Sequence, residues 1–186
     1  MNPEQLNLNP KSEKEILWEQ KLSEVNEIAD SLGKGVDEKI KKTVAIFLAH
    51  EFTTSGSCEG HTIKDGETEY GLPFPWVEVY APEPEGWKES EEKQQEWMIE
   101  NLSQQKKMMS FLEEFYKERT TPFDARLTFE GIGAYGGFRV QSFGAEILAI
   151  LTTEEQKLKL ELYRNELDDF TEFLKDKYFA KESFNN

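Results

Sequence analysis

The stretch RLTFEGIGAYGGFRVQS, residues 126–142, decides the fold class. In Arg126–Glu130, Leu127 and Phe129 alternate with Arg126, Thr128 and Glu130. In Phe138–Ser142, Phe138 and Val140 alternate with Arg139 and Gln141. This period of two is that of strands with one apolar face. The intervening GIGAYGG carries glycines that accept positive φ, so the two runs are expected to fold back as an antiparallel hairpin. Paired in this way, Arg126, Glu130, Arg139 and Gln141 share one surface. The plain reading of that surface is a solvated sheet face with cross-strand ion pairs.

Working outward, Trp76-Val77-Glu78-Val79-Tyr80 alternates as a further strand that brings Glu78 to the same polar surface. Glu51–Ser55 reads as a short strand entering a Gly-rich turn. Ser12 and Glu15 form a capping-box pattern ahead of Trp18, Leu22, Val25, Ala29 and Leu32, whose spacing predicts a helix ended by Gly33 or Gly35. Asp37 is placed to cap a second helix carrying Ile40, Val44, Phe47 and Leu48. Ser90 opens a long helix to about Glu118, with Met98, Leu102, Met109, Leu112 and Tyr116 on its apolar side. Residues 145–151 are too short an apolar run to settle between strand and helix. Thr153 caps a last helix with Leu160, Tyr163, Leu167, Phe170 and Leu174 in one stripe. The order α-α-β-β-α-β-β-α lacks the alternation of a doubly wound sheet. It predicts an α+β fold, a mainly antiparallel sheet covered by four helices. Residues 1–11 are expected to be a flexible N-terminal segment, 12–180 a single α+β domain, and 181–186 a frayed tail.

The chain has 186 residues, of which 37 are acidic and 22 basic, for a formal net charge of −15. Such a field repels phosphate backbones and argues against a nucleic-acid partner. With 13 Phe, 6 Tyr and 4 Trp, the chain has the large apolar surfaces a core needs. Cys58 stands alone, so no intramolecular disulfide forms. The start MNPEQLNLNP lacks a basic leader followed by an apolar run, from which a cytoplasmic location is expected. No apolar run reaches the roughly 18 residues of a membrane span.

The chemistry concentrates in TTSGSCEGH, Thr53–His61, which holds the cysteine and one of the two histidines. Three readings stand. Cys58 and His61, three positions apart, have the residue types of a nucleophile and its base, with backbone N–H groups from Gly56 to Gly60 as an anion nest and no third orienting residue named. Cys-x-x-His also suits a metal, with His50 as a third ligand and a carboxylate such as Glu59 or Glu51 completing the set. Structural zinc, however, takes four protein ligands, and the chain has neither a second cysteine nor a third histidine to supply them. The third reading is a turn around a small buried cysteine.

At KGVDEKI, residues 34–40, and TTSGSCEGH the chain resembles the wybutosine-synthesising methyltransferase family of tRNA-modifying proteins. It is also similar to small bacterial proteins carrying Thr-x-Gly-Ser-Cys-Glu-Gly-His with a later Pro-Trp-Val. The matching positions are Lys34, Gly35, Val36, Asp37, Ile40, Thr53, Thr54, Ser55, Ser57, Cys58 and Gly60, while Gly56 stands for a serine and His61 for an arginine. The resemblance implies that the Ser57-Cys58 turn lines a ligand site in an α+β domain.

Together these readings point to a pocket for a polar small molecule of the nucleoside or S-adenosylmethionine type. Cys58 and His61 are the candidate catalytic residues, and Ser57, Glu59, Gly60, Glu78, Arg139 and Gln141 the candidate binding residues. Arg139 is expected to pair with a carboxylate or phosphate of the ligand. The cofactor, the reaction and the oligomeric state are left unassigned. The alternative is a non-catalytic acidic adaptor whose charged helices, Glu91–Glu118 and Glu154–Lys177, meet a basic partner.

Overall fold

A computed structural model describes residues 11–29, 33–62 and 72–180. The expected flexible start, the frayed tail and most of the loop before Pro73 lie outside the described residues. Four helices, α1 (Glu13–Glu27), α2 (Lys41–Ala49), α3 (Glu91–Phe115) and α4 (Thr153–Phe179), surround four strands, β1 (Thr54–Cys58), β2 (Trp76–Val79), β3 (Leu127–Ile132) and β4 (Gly137–Ser142). The sheet order is β1-β2-β4-β3 and every pairing is antiparallel, as the α+β reading expects. The hairpin forms with Phe129 opposite Val140 and Glu130 opposite Arg139. None of the described helices is long and apolar enough to cross a membrane.

Helix α2 is buried nearly all round, through Val44, Ala45, Ile46, Phe47 and Ala49, because α1, α4 and the sheet pack around it. Its one buried hydroxyl, on Thr43, pairs with that of Thr171 on α4 at 2.8 Å. Val77, Val79, Phe138 and Val140 supply the sheet side of this core, and Leu167, Phe170 and Leu174 the α4 side. A smaller cluster of Phe74, Ala125, Ala145, Leu148 and Tyr163 seals the sheet near the start of α4.

Several local expectations are corrected. Helix α1 stops at Glu27, and Ala29 instead forms an isolated bridge with Gly35. The first strand begins at Thr54 rather than Glu51, which sits at φ 62 just beyond α2, so Gly56, Ser57 and Cys58 belong to a strand and not to a turn. Residues 145–150 form 3-10 turns, and the cap of α4 is Thr152, in a capping box with Glu155.

Helix α3 ends at Phe115 and turns a different face inward from the expected one. Trp97, Asn101, Gln104, Met108 and Leu112 are buried, whereas Met98, Leu102 and Met109 are exposed. The reason is polar. Ala81 N–H donates to Asn101 Oδ1 at 2.8 Å, Asn101 Nδ2 donates to Tyr135 O at 3.0 Å, and Thr53 N–H donates to Gln104 Oε1 at 2.8 Å. These two amides satisfy the buried N–H of Ala81 and the partly buried backbone groups of Thr53 and Tyr135, just outside β2, β1 and β4. That gain outweighs burying the more apolar neighbouring face. Trp97 completes the arrangement by donating Nε1–H to Ala81 O at 2.7 Å while stacking on Tyr80 and Tyr135.

Candidate functional site

The turn Glu59–Thr62 follows β1 directly and is held from two sides. On one side, α4 contributes Arg164, which donates from Nε to Glu59 O at 2.9 Å and from Nη2 to Gly60 O at 2.6 Å. On the other, the segment before α2 contributes Lys39 N–H, bonded to Glu59 Oε2 at 3.0 Å, and Asp37 Oδ2, which accepts from Glu59 N–H at 3.1 Å. His61 N–H is tied to Leu72 O at 2.9 Å. Gly60 is required here. Its φ is +80, and a Cβ would stand 2.6 Å from Leu160 Cδ1 and 2.7 Å from the Phe74 carbonyl carbon.

This bracing brings three donor atoms together. His61 Nε2 lies 3.2 Å from Asp37 Oδ2, and the ligating atoms of Asp37, Cys58 and His61 are all within 4.8 Å of one another. Asp37 precedes the first turn before α2 but makes no capping bond with its side chain, which is turned to Glu59 and His61 instead. The cap read from sequence is therefore corrected, and Asp37 supplies the third residue that sequence reasoning lacked. Cys58 is buried, whereas Asp37 and His61 keep about a third of their side chains exposed, at 33% and 30%. Burial pushes the Cys58 thiol up, and the neighbouring Asp37 carboxylate adds to the shift against the N–H of Gly60, which lies 3.3 Å from Sγ. A thiol so placed is a poor thiolate nucleophile in the free protein.

The other metal candidates named from sequence are elsewhere. His50 Nε2 bonds Leu174 O at 2.8 Å, Glu59 Oε2 is taken by Lys39 N–H, and Glu51 is an exposed partner of Lys107. Among the described residues, the group of three or more possible metal-ligating side chains is Asp37, Cys58 and His61.

Arg139 and Glu78 form a second centre. Glu78 is opposite Arg139 in the sheet, Gly56 is opposite Glu78, and Trp76 is opposite Cys58, so alternation puts Cys58, Trp76, Glu78 and Arg139 on one face. Arg139 does not wait for a ligand anion. It donates to Glu78 Oε1 from Nη2 at 2.5 Å and from Nε at 3.1 Å, and its guanidinium lies 4.4 Å from the Trp76 ring centroid. The guanidinium is thus paired with a carboxylate of the sheet itself, the cross-strand ion pair of the plain reading. Gln141 is 4% exposed on this same face, and its Oε1 has no hydrogen-bond partner, nor has Trp76 Nε1.

Beside β1 runs a groove of about 360 Å³ lined by Lys34, Gly35, Val36, Val44, Thr54–Ser57 and Trp76. Ser57 is thus in the groove, while Cys58, Glu59, Gly60 and His61 lie beyond the end of its β1 wall. The Lys34-Gly35 segment lines this groove and Arg164 braces the turn, two contributions that no local pattern in the sequence marks as parts of a site. Lys34 and Gly35 were within the resembling motif, whereas Arg164 contacts the turn from 104 positions away, a separation that carries no local signal.

Compared with known protein families, curated proteins and solved structures, the chain finds no match.

Proposed function

We propose that the protein binds a polar small molecule of the nucleoside or S-adenosylmethionine type in the groove beside β1. The observation that carries this reading is the groove itself. Its volume of about 360 Å³ is in the range of small-ligand sites, and its walls combine the hydroxyls of Thr54, Ser55 and Ser57 with the apolar faces of Val36, Val44 and Trp76. Among the described residues β1 has a sheet neighbour on one side only, so backbone N–H and C=O groups of this strand face the groove rather than a partner strand. Gly35 and Gly56 leave room for close approach. The high pKa of the Cys58 thiol favours binding over nucleophilic catalysis.

Thermal unfolding with added adenosine, S-adenosylmethionine and related compounds tests the reading. A true ligand raises Tm with concentration, and Ser57→Leu, which places a branched side chain in the groove, abolishes the rise while the free protein still unfolds cooperatively. A rise of equal size in Ser57→Leu would refute it.

A further inference from the structure

We propose that Asp37, Cys58 and His61 form a site for one divalent ion of the zinc type, with three protein ligands and a fourth position open to water or substrate. This inference does not rest on the ligand reading above.

Geometry is the first support. Zinc sits about 2.0–2.2 Å from nitrogen and oxygen ligands and about 2.3 Å from sulfur, so tetrahedral coordination spaces donor atoms about 3.3–3.6 Å apart. The His61 to Asp37 edge is already 3.2 Å. The edges to sulfur are at most 4.8 Å, so side-chain movement of little more than about 1 Å closes the set. Donor chemistry is the second support. A thiolate with an imidazole and a carboxylate matches zinc, whereas magnesium and calcium favour oxygen alone.

The third support is the bracing that surrounds the ligands and reaches one of them, Asp37, from outside. Arg164 pins the carbonyls of Glu59 and Gly60 between Cys58 and His61, and Lys39 N–H holds the Glu59 carboxylate. The N–H of Glu59 in turn bonds Asp37 Oδ2 at 3.1 Å. Such outer contacts orient metal ligands and tune affinity. Burial of the thiol beside two half-buried ligands leaves the remaining position facing solvent, the arrangement of a reactive rather than a structural centre.

On loading, the Cys58 S–H bond breaks, its proton goes to buffer and sulfur bonds the metal. His61 binds through the Nε2 lone pair with its proton on Nδ1, and Asp37 binds through one carboxylate oxygen. No electron is transferred. An alternative in which the three groups only hydrogen-bond one another predicts no affinity for metal.

The test is titration of the chelator-treated full chain with Co²⁺, read by thiolate-to-cobalt charge-transfer absorption, together with metal analysis after Zn²⁺ loading and dialysis. The expected result is one ion per chain and a charge-transfer band that is absent in Cys58→Ser. Binding should weaken at least about ten-fold in His61→Gln, a substitution at a partly exposed side chain that leaves folding intact, and remain unchanged in His50→Gln. Absence of the band in folded wild-type protein, or equal affinity in His61→Gln, would overturn the proposal.

Discussion

Replacing Gly60 by alanine separates two costs that meet at the turn between Cys58 and His61. The backbone at φ +80 is left-handed, which costs an L-residue about 1–2 kcal/mol. The added Cβ also lands 2.6 Å from Leu160 Cδ1, 2.7 Å from the Phe74 carbonyl carbon and 2.9 Å from Pro75 N. Two of these are backbone atoms and cannot swing away, so the overpacking adds about 1–3 kcal/mol. The sum is about 2–5 kcal/mol, and at about 2–4 °C per kcal/mol for a chain of this size Tm falls by roughly 4–20 °C. Gly33 is the control. Its φ is +75 and no described residue lies within 4 Å of an added Cβ, so Gly33→Ala is expected to carry mainly the backbone cost, about 1–2 kcal/mol. Urea unfolding followed by circular dichroism measures both, and the slope with denaturant should not change. Equal losses in the two variants, or a Gly60→Ala loss below about 0.5 kcal/mol, would show that Gly60 is not packed as described.

Two further outcomes are expected. Asn101→Ala strands the buried Ala81 N–H, at about 1–3 kcal/mol, and removes the bond to the partly buried Tyr135 carbonyl, at about 0.5–1.5 kcal/mol, so it should lower stability by about 1.5–4.5 kcal/mol, whereas Met98→Ala on the exposed neighbouring face changes it by less than about 1 kcal/mol. Burial pushes the His50 imidazole below the ordinary histidine value, despite its bond to Leu174 O. The unfolded chain therefore binds the proton more readily, and stability present above about pH 6.5 is lost as pH falls toward the folded value, by up to about 1.4 kcal/mol per pH unit. In His50→Gln, unfolding measured from pH 7.5 to 5.5 in roughly half-unit steps should lack that slope.

The strand pairing was legible because alternation is a local signal. Leu127, Phe129, Phe138 and Val140 mark the buried side of a hairpin without reference to the rest of the chain. The inward face of α3 was not legible. Asn101 and Gln104 look like surface residues until one knows that Ala81, Tyr135 and Thr53 offer backbone groups needing partners. A similar limit hid the candidate site. The pattern of Asp37 before a helical segment reads as a cap, and only tertiary structure shows that its carboxylate serves the turn after β1. Cys58 and His61 were singled out by residue type, but their third partner comes from 21 positions before Cys58, across the whole of α2. Alternation put Glu78 and Arg139 on one surface and allowed a cross-strand ion pair there, but only the register, with Glu78 directly opposite Arg139, shows that the two meet.

Crystals of the zinc-loaded protein, with anomalous diffraction recorded on either side of the zinc absorption edge, test the convergence of Asp37, Cys58 and His61 most directly. The account predicts a single strong peak about 2.0–2.3 Å from a carboxylate oxygen of Asp37, Sγ of Cys58 and Nε2 of His61. Density showing the Asp37 carboxylate folded back on the N-terminus of its own helix, with no zinc between the thiol and the imidazole, would contradict it.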